Sequence, residues 1–380
     1  MGFEQIIFSY LIVIERKRIM KKKSKKKQSR PQLPSVRLSQ CMIVKNEEKN
    51  IEKALGWAKG IAFEQIVVDT GSTDRTVEIA EKLGAKIFHF EWINDFSAAK
   101  NFAIEQASGN WIAFLDADEY LSPKDAAKLM PFFKHIQADP KLRNTWLAIQ
   151  CPWVQVDEAG NTTSIFTQER LFRNLPSIRY VGKIHEQLSL HVDNIVYGDD
   201  IAVIHTGYSM TSYAETNKAQ RNIDMLKMAI LEDPVNVNLK GYLAEALDVK
   251  AQMEGATEAA LPEIDELFKE VLNAASDSLP QARKSAYIHF IKKSVNDNNR
   301  YAEFEEMCGK ALEDFPDDSD ILYYRAANLN NRGDHHAALE ILRRCEDRLS
   351  NNETPELSKM VAADPTLLQE QIAIAKRELE

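Results

Sequence analysis

Apolar and polar positions alternate in blocks along the first 120 residues. Residues 38–44 form a short apolar run and predict a strand. Lys45-Asn46-Glu47-Glu48 follows. Ile51, Ala54, Leu55 and Ala58 then recur at helical spacing, closed by Gly60. Ile66-Val67-Val68 predicts a second strand ending in Asp69. The turn Thr70-Gly71-Ser72-Thr73-Asp74 is rich in helix-capping residues; Val77, Ala80 and Leu83 mark the next helix face, ended by Gly84. Residues 87–90 predict a third strand, and Phe96, Ala99, Phe102 and Ala103 a third helix ended by Gly109. Trp111-Ile112-Ala113-Phe114-Leu115 predicts a fully buried strand with Asp116 and Asp118 at its end. Near-continuous apolar strands joined by helices predict a parallel sheet covered on both faces. Such sheets bind ligands at the carboxyl ends of their strands, so Asn46, Asp69 and Asp116 should share one edge.

After Asp118 the alternation stops. Residues 123–138 predict a helix, and residues 145–157 and 162–173 two strands around a turn at 158–161. Residues 195–205 predict one more strand. This β-rich stretch carries Arg170-Leu171-Phe172-Arg173, Gly182-Lys183-Ile184-His185-Glu186 and His205-Thr206-Gly207-Tyr208. From Thr211 the pattern is helical. Ala229-Ile230-Leu231-Glu232-Asp233-Pro234 is echoed by Ala311-Leu312-Glu313-Asp314-Phe315-Pro316. Ala326, Gly333 and Ala338 fall at the small-residue spacing of a tetratricopeptide unit, although no Trp follows Trp153. The expected division is a basic N-terminal extension over residues 1–36, an α/β domain over 37–210 and a helical-repeat domain over 211–380.

Charge changes the picture at the N-terminus. Residues 1–37 hold 11 of the 48 basic and 2 of the 57 acidic residues, so the remainder is strongly acidic. An acidic body lacks the basic face that phosphate backbones require, so nucleic acid is not an expected partner. The cluster over residues 16–30 reads as an unstructured tail. The apolar run over residues 6–14 is much shorter than the roughly 20 residues of a spanning helix. Composition favours Met20 as the start over a weak lipid anchor, so at most peripheral contact at the inner face of the membrane is expected. Cys41, Cys151, Cys308 and Cys345 are scattered without a Cys-x-x-Cys pair, which fits a reducing, cytoplasmic setting.

The chemistry centres on Asp116 and Asp118. In extended backbone, residues two apart point to the same side. Two such carboxylates repel unless a cation lies between them, and a divalent ion carrying a phosphate suits oxygen ligands. Neither a Gly-x-Gly-x-x-Gly after the first strand nor a Gly-x-x-x-x-Gly-Lys-[Ser/Thr] loop is present.

Four strings in order carry a resemblance: Met42-Ile43-Val44-Lys45-Asn46-Glu47-Glu48, Val68-Asp69-Thr70-Gly71-Ser72-Thr73-Asp74, Asn94-Asp95-Phe96-Ser97-Ala98-Ala99-Lys100-Asn101 and Leu115-Asp116-Ala117-Asp118-Glu119. Residues 38–210 resemble family 2 glycosyltransferases, which have the α/β GT-A fold, a Rossmann-like mixed sheet. The strings at 182–186 and 205–208 are similar to a bacterial branch with a tetratricopeptide tail. That branch includes sublancin-type peptide S-glycosyltransferases and lipopolysaccharide-core transferases. Lys100 departs from the Arg of many relatives, which keeps the charge and loses bidentate geometry.

The resemblance implies an inverting transfer from a nucleotide-sugar, a UDP-sugar above others, to a peptide or cell-envelope glycan. It implies a nucleotide-sugar site of Asn46, Glu47, Asp69, Lys100, Asn101, Asp116 and Ala117. Asp69 would meet the base, Lys100 the diphosphate, and Asp116 the ribose or metal-bound water. It implies Mg²⁺ or Mn²⁺ at Asp116, Asp118 and His205. Asn46 and Glu47 could equally start a helix; for Asp69 a turn cap and for Lys100 a solvated surface position are the alternatives to the functional reading, which the surrounding strings favour. Inversion needs a base for the acceptor proton. Glu186 and His185 are the candidates and Glu119 the runner-up, while Arg170 and Arg173 would bind acceptor or phosphate or form exposed ion pairs. The tail would serve assembly, as a homodimer, or acceptor docking rather than chemistry. The rival reading is a helical-repeat adaptor fused to an inactive transferase domain. A nucleotidyltransferase would share the carboxylates but normally bring a Gly-rich phosphate loop.

Overall fold

A computed structural model describes residues 35–198, 200–206, 218–254, 261–274, 279–295, 297–350 and 360–380. The N-terminal basic tail and its apolar run, Gly207-Tyr208 and residues 211–217 lie outside the described residues. Val36–Glu380 is one compact unit.

The α/β part begins β1 (Leu38–Val44), α1 (Ile51–Gly56), β2 (Glu64–Asp69), α2 (Thr76–Lys82), β3 (Lys86–His89), α3 (Phe96–Glu105) and β4 (Trp111–Phe114). It continues through β5 (Glu119–Leu121), α4 (Pro123–Ala138), α5 (Pro140–Thr145), β6 (Ala148–Val156) and β7 (Thr162–Arg173). Short strands β8 (Tyr180–Val181), β9 (Gln187–Leu188), β10 (Ile195–Tyr197) and β11 (Val203–His205) complete it. The main sheet runs β3-β2-β1-β4-β7-β6-β11-β5, with β10 on β6. As the pattern predicts, β1 to β4 pair in parallel. β7 then turns the sheet mixed by pairing antiparallel with both β4 and β6.

Strand period two explains why β4 is apolar throughout. Trp111 and Ala113 join one core with Leu129 and Phe133 of α4, while Ile112 and Phe114 join another with Ala103 and Ile104 of α3. Trp111 stacks on Phe133 at 4.5 Å. Burying each such side chain contributes about 1.5–3 kcal/mol. Ser122 caps α4 by accepting from Asp125 N, and Pro123 occupies its first turn. The predicted α2 face is only partly right: Ala80 is buried but Leu83 is exposed, with Ile79 packing inward instead.

Two strand predictions are corrected. The strand carrying the carboxylates stops at Phe114, and Asp116 to Asp118 form a turn closed by Glu119 N donating to Asp116 O (3.0 Å). Ala117 is buried at its apex with Met42 and Val44. The single strand over residues 195–205 is two strands, both parallel to β6. Gly198 lies between them and approaches Ile149 so closely that a Cβ would sit 2.7 Å from it.

The helical region contains α6 (Lys218–Glu232), α7 (Val237–Glu254), α8 (Leu261–Asn273), α9 (Pro280–Ser294), α10 (Tyr301–Asp314), α11 (Ser319–Asn331), α12 (His335–Ser350), α13 (Met360–Ala363) and α14 (Thr366–Leu379). The echoed strings end α6 and α10 alike: the residue before each Pro donates its N–H to the Ala four back. Ala326 and Ala338 pack in one core, whereas Gly333 supplies a positive φ of 80° at the α11–α12 turn. Lys284 of α9 is buried between Asp318 and Asp320, 2.9 Å from each. Asp320 also accepts from Val361 N (2.9 Å) and so ties α9, α11 and α13 together.

Candidate active site

The carboxyl ends of β1, β2 and β4 meet at one edge, as predicted. Thr70 N donates to Val44 O (2.9 Å), and Val44 pairs with Asp69. The 70–74 turn hangs from this edge. Asp69 accepts from Gly71 N (3.2 Å) and Ser72 N (3.0 Å), so its carboxylate caps the turn. Asn46 has a φ of 58°, and its Oδ1 accepts from Thr73 N (2.7 Å). Asn tolerates that left-handed backbone better than most residues. Glu47 N donates to Thr76 Oγ1 (2.7 Å). Burial raises the Glu47 pKa; the Asn50 hydrogen bond opposes this and the nearby Asp118 charge reinforces it.

From this edge a run of alternating charges leads inward. Glu119 is fully buried and pairs with Arg170 of β7. Arg170 Nη2 lies 3.0 Å from Asp116 Oδ2. Lys100 Nζ of α3 lies 3.5 Å from Asp116 Oδ1 and 2.6 Å from Glu186 Oε1. Burial alone would raise the Asp116 pKa, but Lys100 and then Arg170 hold it well below the usual carboxylate range. Burial would likewise lower Lys100, but Asp116 and Glu186 keep its ammonium above the ordinary value. Lys100 also lies 5.2 Å over the Phe114 ring and 5.1 Å over the Tyr180 ring. It is therefore no solvated surface lysine.

Asp118 leaves this run and turns to His205, whose Nε2 is 3.4 Å from Asp118 Oδ2. The pairing of β11 with β5 sets His205 opposite Glu119, and Thr206 N donates to Asp118 O (3.0 Å). His205 stacks on Trp153 at 4.4 Å, and Trp153 Nε1 donates to Glu119 Oε1 (2.7 Å). The two carboxylates expected side by side therefore diverge. Asp116 is drawn to buried cations and Asp118 to an imidazole.

The remaining predicted residues divide between this run and its surroundings. Both ends of the Asn101 amide are used on the backbone of Tyr180, at 2.9 Å each, so Asn101 anchors β8. Glu119 also accepts from Asp116 N (2.9 Å), so it is buried and bonded at both oxygens. Arg170, expected on acceptor or phosphate, is a buried partner of two carboxylates, while Arg173 lies over Trp111 at 5.2 Å and outside the site. His185 has a φ of 52° and stacks on Tyr242 of α7 at 3.8 Å and 8°. Burial lowers its pKa against the pull of Glu186, favouring the neutral ring. Trp153, Tyr180 and Tyr242 were not singled out by the sequence, where an aromatic residue in an apolar stretch reads as core. The Tyr180 hydroxyl is buried and has no hydrogen-bond partner among the described residues.

Among the described residues no three His, Cys, Asp or Glu side chains cluster to hold a metal ion. Asp118 and His205 offer one carboxylate and one imidazole side by side. That set fits a cation which draws its other ligands from phosphate and water.

Residues 39–140 match the family model described as glycosyl transferase family 2. A TPR repeat-containing protein of Synechococcus elongatus is 33% identical over 56% of this chain and 54% of its own length. Glycosyltransferase SunS of Bacillus subtilis is 26% identical over 76% of this chain and 65% of its own length. The chain thus spans about half to two thirds of these relatives. Among solved structures, S. aureus TarS residues 1–349 with UDP-GlcNAc aligns at a TM-score of 0.38 and 14% identity, covering 78% of this chain and 92% of that one. The match to glycosyl transferase family 2 thus falls on residues 39–140, and a region rich in helices follows it.

Proposed function

We propose that this protein is an inverting, metal-dependent glycosyltransferase that uses a nucleotide-diphosphate sugar, with UDP-sugars as the first donors to try. The observation that carries the reading is the run Asp116–Lys100–Glu186 beside the Asp118–His205 pair, inside a family 2 domain. The nucleotide lies against the edge formed by Asn46, Glu47 and the Asp69 turn. Asp116, pinned by two cations, faces the ribose. Asp118 and His205 would hold a divalent cation. When bound, that cation neutralises the diphosphate and acts as a Lewis acid on the leaving group.

Glu186 is the base. Lys100 fixes its carboxylate from one side, and the acceptor proton goes to it as the acceptor attacks the anomeric carbon. His185 positions Glu186 rather than taking the proton. Lys100 holds Asp116 and Glu186 in place as their shared counter-ion, and Asn101 acts by anchoring Tyr180. A peptide or cell-envelope glycan as acceptor, and a homodimer through the helical region, are what the resemblance implies. A domain boundary near residue 211 rests on the change to a helical pattern there. No helix among the described residues is long and apolar enough to cross a membrane.

The test is turnover of a panel of nucleotide-sugars by the full chain with Mn²⁺ and with EDTA. Release of the nucleoside diphosphate with Mn²⁺ alone supports the reading. Nucleotide binding without turnover of any donor, with or without acceptor extracts, would favour an adaptor carrying an inactive domain.

A further inference from the structure

We infer that Tyr242 of the helical region is a positioning residue for the active site, holding His185 and through it Glu186. This inference rests on the reading of Glu186 as the base. Residues 182–186 form the loop that joins β8 to β9, which pair with each other apart from the main sheet. The α/β part fixes its first half: Ser97 Oγ donates to Gly182 O (2.5 Å) and Phe96 N donates to Lys183 O (2.9 Å). Its second half is held by the pairing of Gln187 with Val181 and by the helical region. Lys183 Nζ pairs with Glu232 of α6 at 2.5 Å. Ile184 is buried in the core that Leu226 and Leu243 build between α6 and α7. His185 then lies flat on the Tyr242 ring, at 3.8 Å and 8°.

The backbone explains why this contact matters. His185 has a φ of 52°, a left-handed conformation that side chains with a Cβ rarely adopt. Such a residue persists only where its surroundings over-determine it. The face-to-face stack with Tyr242 supplies that hold. The direction of the chain at His185 sets where the next side chain points, and Glu186 points to Lys100 at 2.6 Å. Without the stack, His185 relaxes towards a right-handed or extended backbone and Glu186 swings off Lys100. Donor binding rests on the Asn46–Asp69 edge and the Asp118–His205 pair, which the loop does not hold, and is expected to change little. The first two helices of the tail therefore belong to the catalytic unit, unlike the expectation that the tail stands apart from the chemistry.

The experiment uses the full chain and the variants Tyr242→Phe, Tyr242→Leu and Tyr242→Ala. Readouts are kcat and the UDP Kd in Mn²⁺, together with the ring-current shift of the His185 Hε1 resonance, assigned with His185→Gln. Tyr242→Leu keeps apolar packing and removes the ring. The expected result is a 10- to 100-fold lower kcat in the Leu and Ala variants, with the UDP Kd within about twofold of wild type. Tyr242→Phe restores kcat and keeps the upfield resonance. Wild-type kcat in Tyr242→Leu, loss of kcat in Tyr242→Phe equal to that in Tyr242→Ala, or a Kd that weakens in step with kcat would each overturn the inference. If wild type turns over no donor, the glycosyl-transfer reading fails on its own. The resonance then decides the positioning role: shifted in wild type and Tyr242→Phe but not in Tyr242→Leu supports it, and an unshifted wild-type ring overturns it.

Discussion

Lys100 Nζ lies 2.6 Å from Glu186 Oε1, inside a pocket walled by Phe114 and Tyr180. A lysine so buried is tolerated only because carboxylates flank it, Glu186 on one side and Asp116 at 3.5 Å on the other. It joins the edge that would meet the donor to the loop that would meet the acceptor.

Lys100→Met should leave two carboxylates facing each other across an apolar gap. Removing one partner of a buried ion pair costs about 3–5 kcal/mol. Urea unfolding should show that loss, and turnover should fall at least about 100-fold. Lys100→Met combined with Glu186→Gln should cost less than the two single changes summed, because the pair is coupled. Strict additivity in stability would show that the 2.6 Å contact carries no energy.

Glu186→Gln should lower kcat by roughly 10²–10⁴ while leaving UDP affinity near wild type. A near-wild-type rate would remove Glu186 from the role and leave His185 to be tested.

Asp118→Asn and His205→Ala should each weaken Mn²⁺-dependent UDP binding by about 10–100-fold. Without the metal, wild type and variants should bind UDP equally. Calorimetry with and without EDTA makes the comparison. UDP affinity in wild type that EDTA leaves unchanged would sink the metal role of the pair.

Glu64 predicts an acid-sensitive seam between β1, β2 and the turn before β4. Its carboxylate accepts from Ser39 Oγ (2.7 Å), Ser108 N (2.6 Å) and Lys86 Nζ (2.6 Å). Burial alone would raise its pKa, but the bonds from Lys86, Ser108 and Ser39 lower it to about 2. A depressed carboxylate contributes stability that is complete above its unfolded value of 4.5 and is lost as pH falls through about 2. That shift corresponds to an amount on the order of 3 kcal/mol. Glu64→Gln should therefore be less stable than wild type at pH 7, with the gap closing between pH 4.5 and 2. A gap that stays constant across that window would show that the charge of Glu64 is not what holds the seam.

The sequence by itself determined the parallel half of the sheet. Strand β1 and helix α4 stand at their predicted bounds, because each is written in local terms: apolar runs, capping residues and glycines at the turns. It also placed Asn46, Asp69 and Asp116 on one edge, since parallel strands with helical crossovers put all their carboxyl ends on the same side. The helical region was legible from period and small residues, as Ala326 and Ala338 in their shared core show. Only the tertiary structure decided how the charges pair. That Arg170 lies between Glu119 and Asp116, and that Asp118 turns away to His205, depends on β7 and β11 joining the sheet. Strand order between distant segments leaves no trace in local periodicity. For the same reason the sequence could not show Tyr242 against His185. A tyrosine on an amphipathic helix reads as core, and its partner is chosen by where faces from distant segments meet.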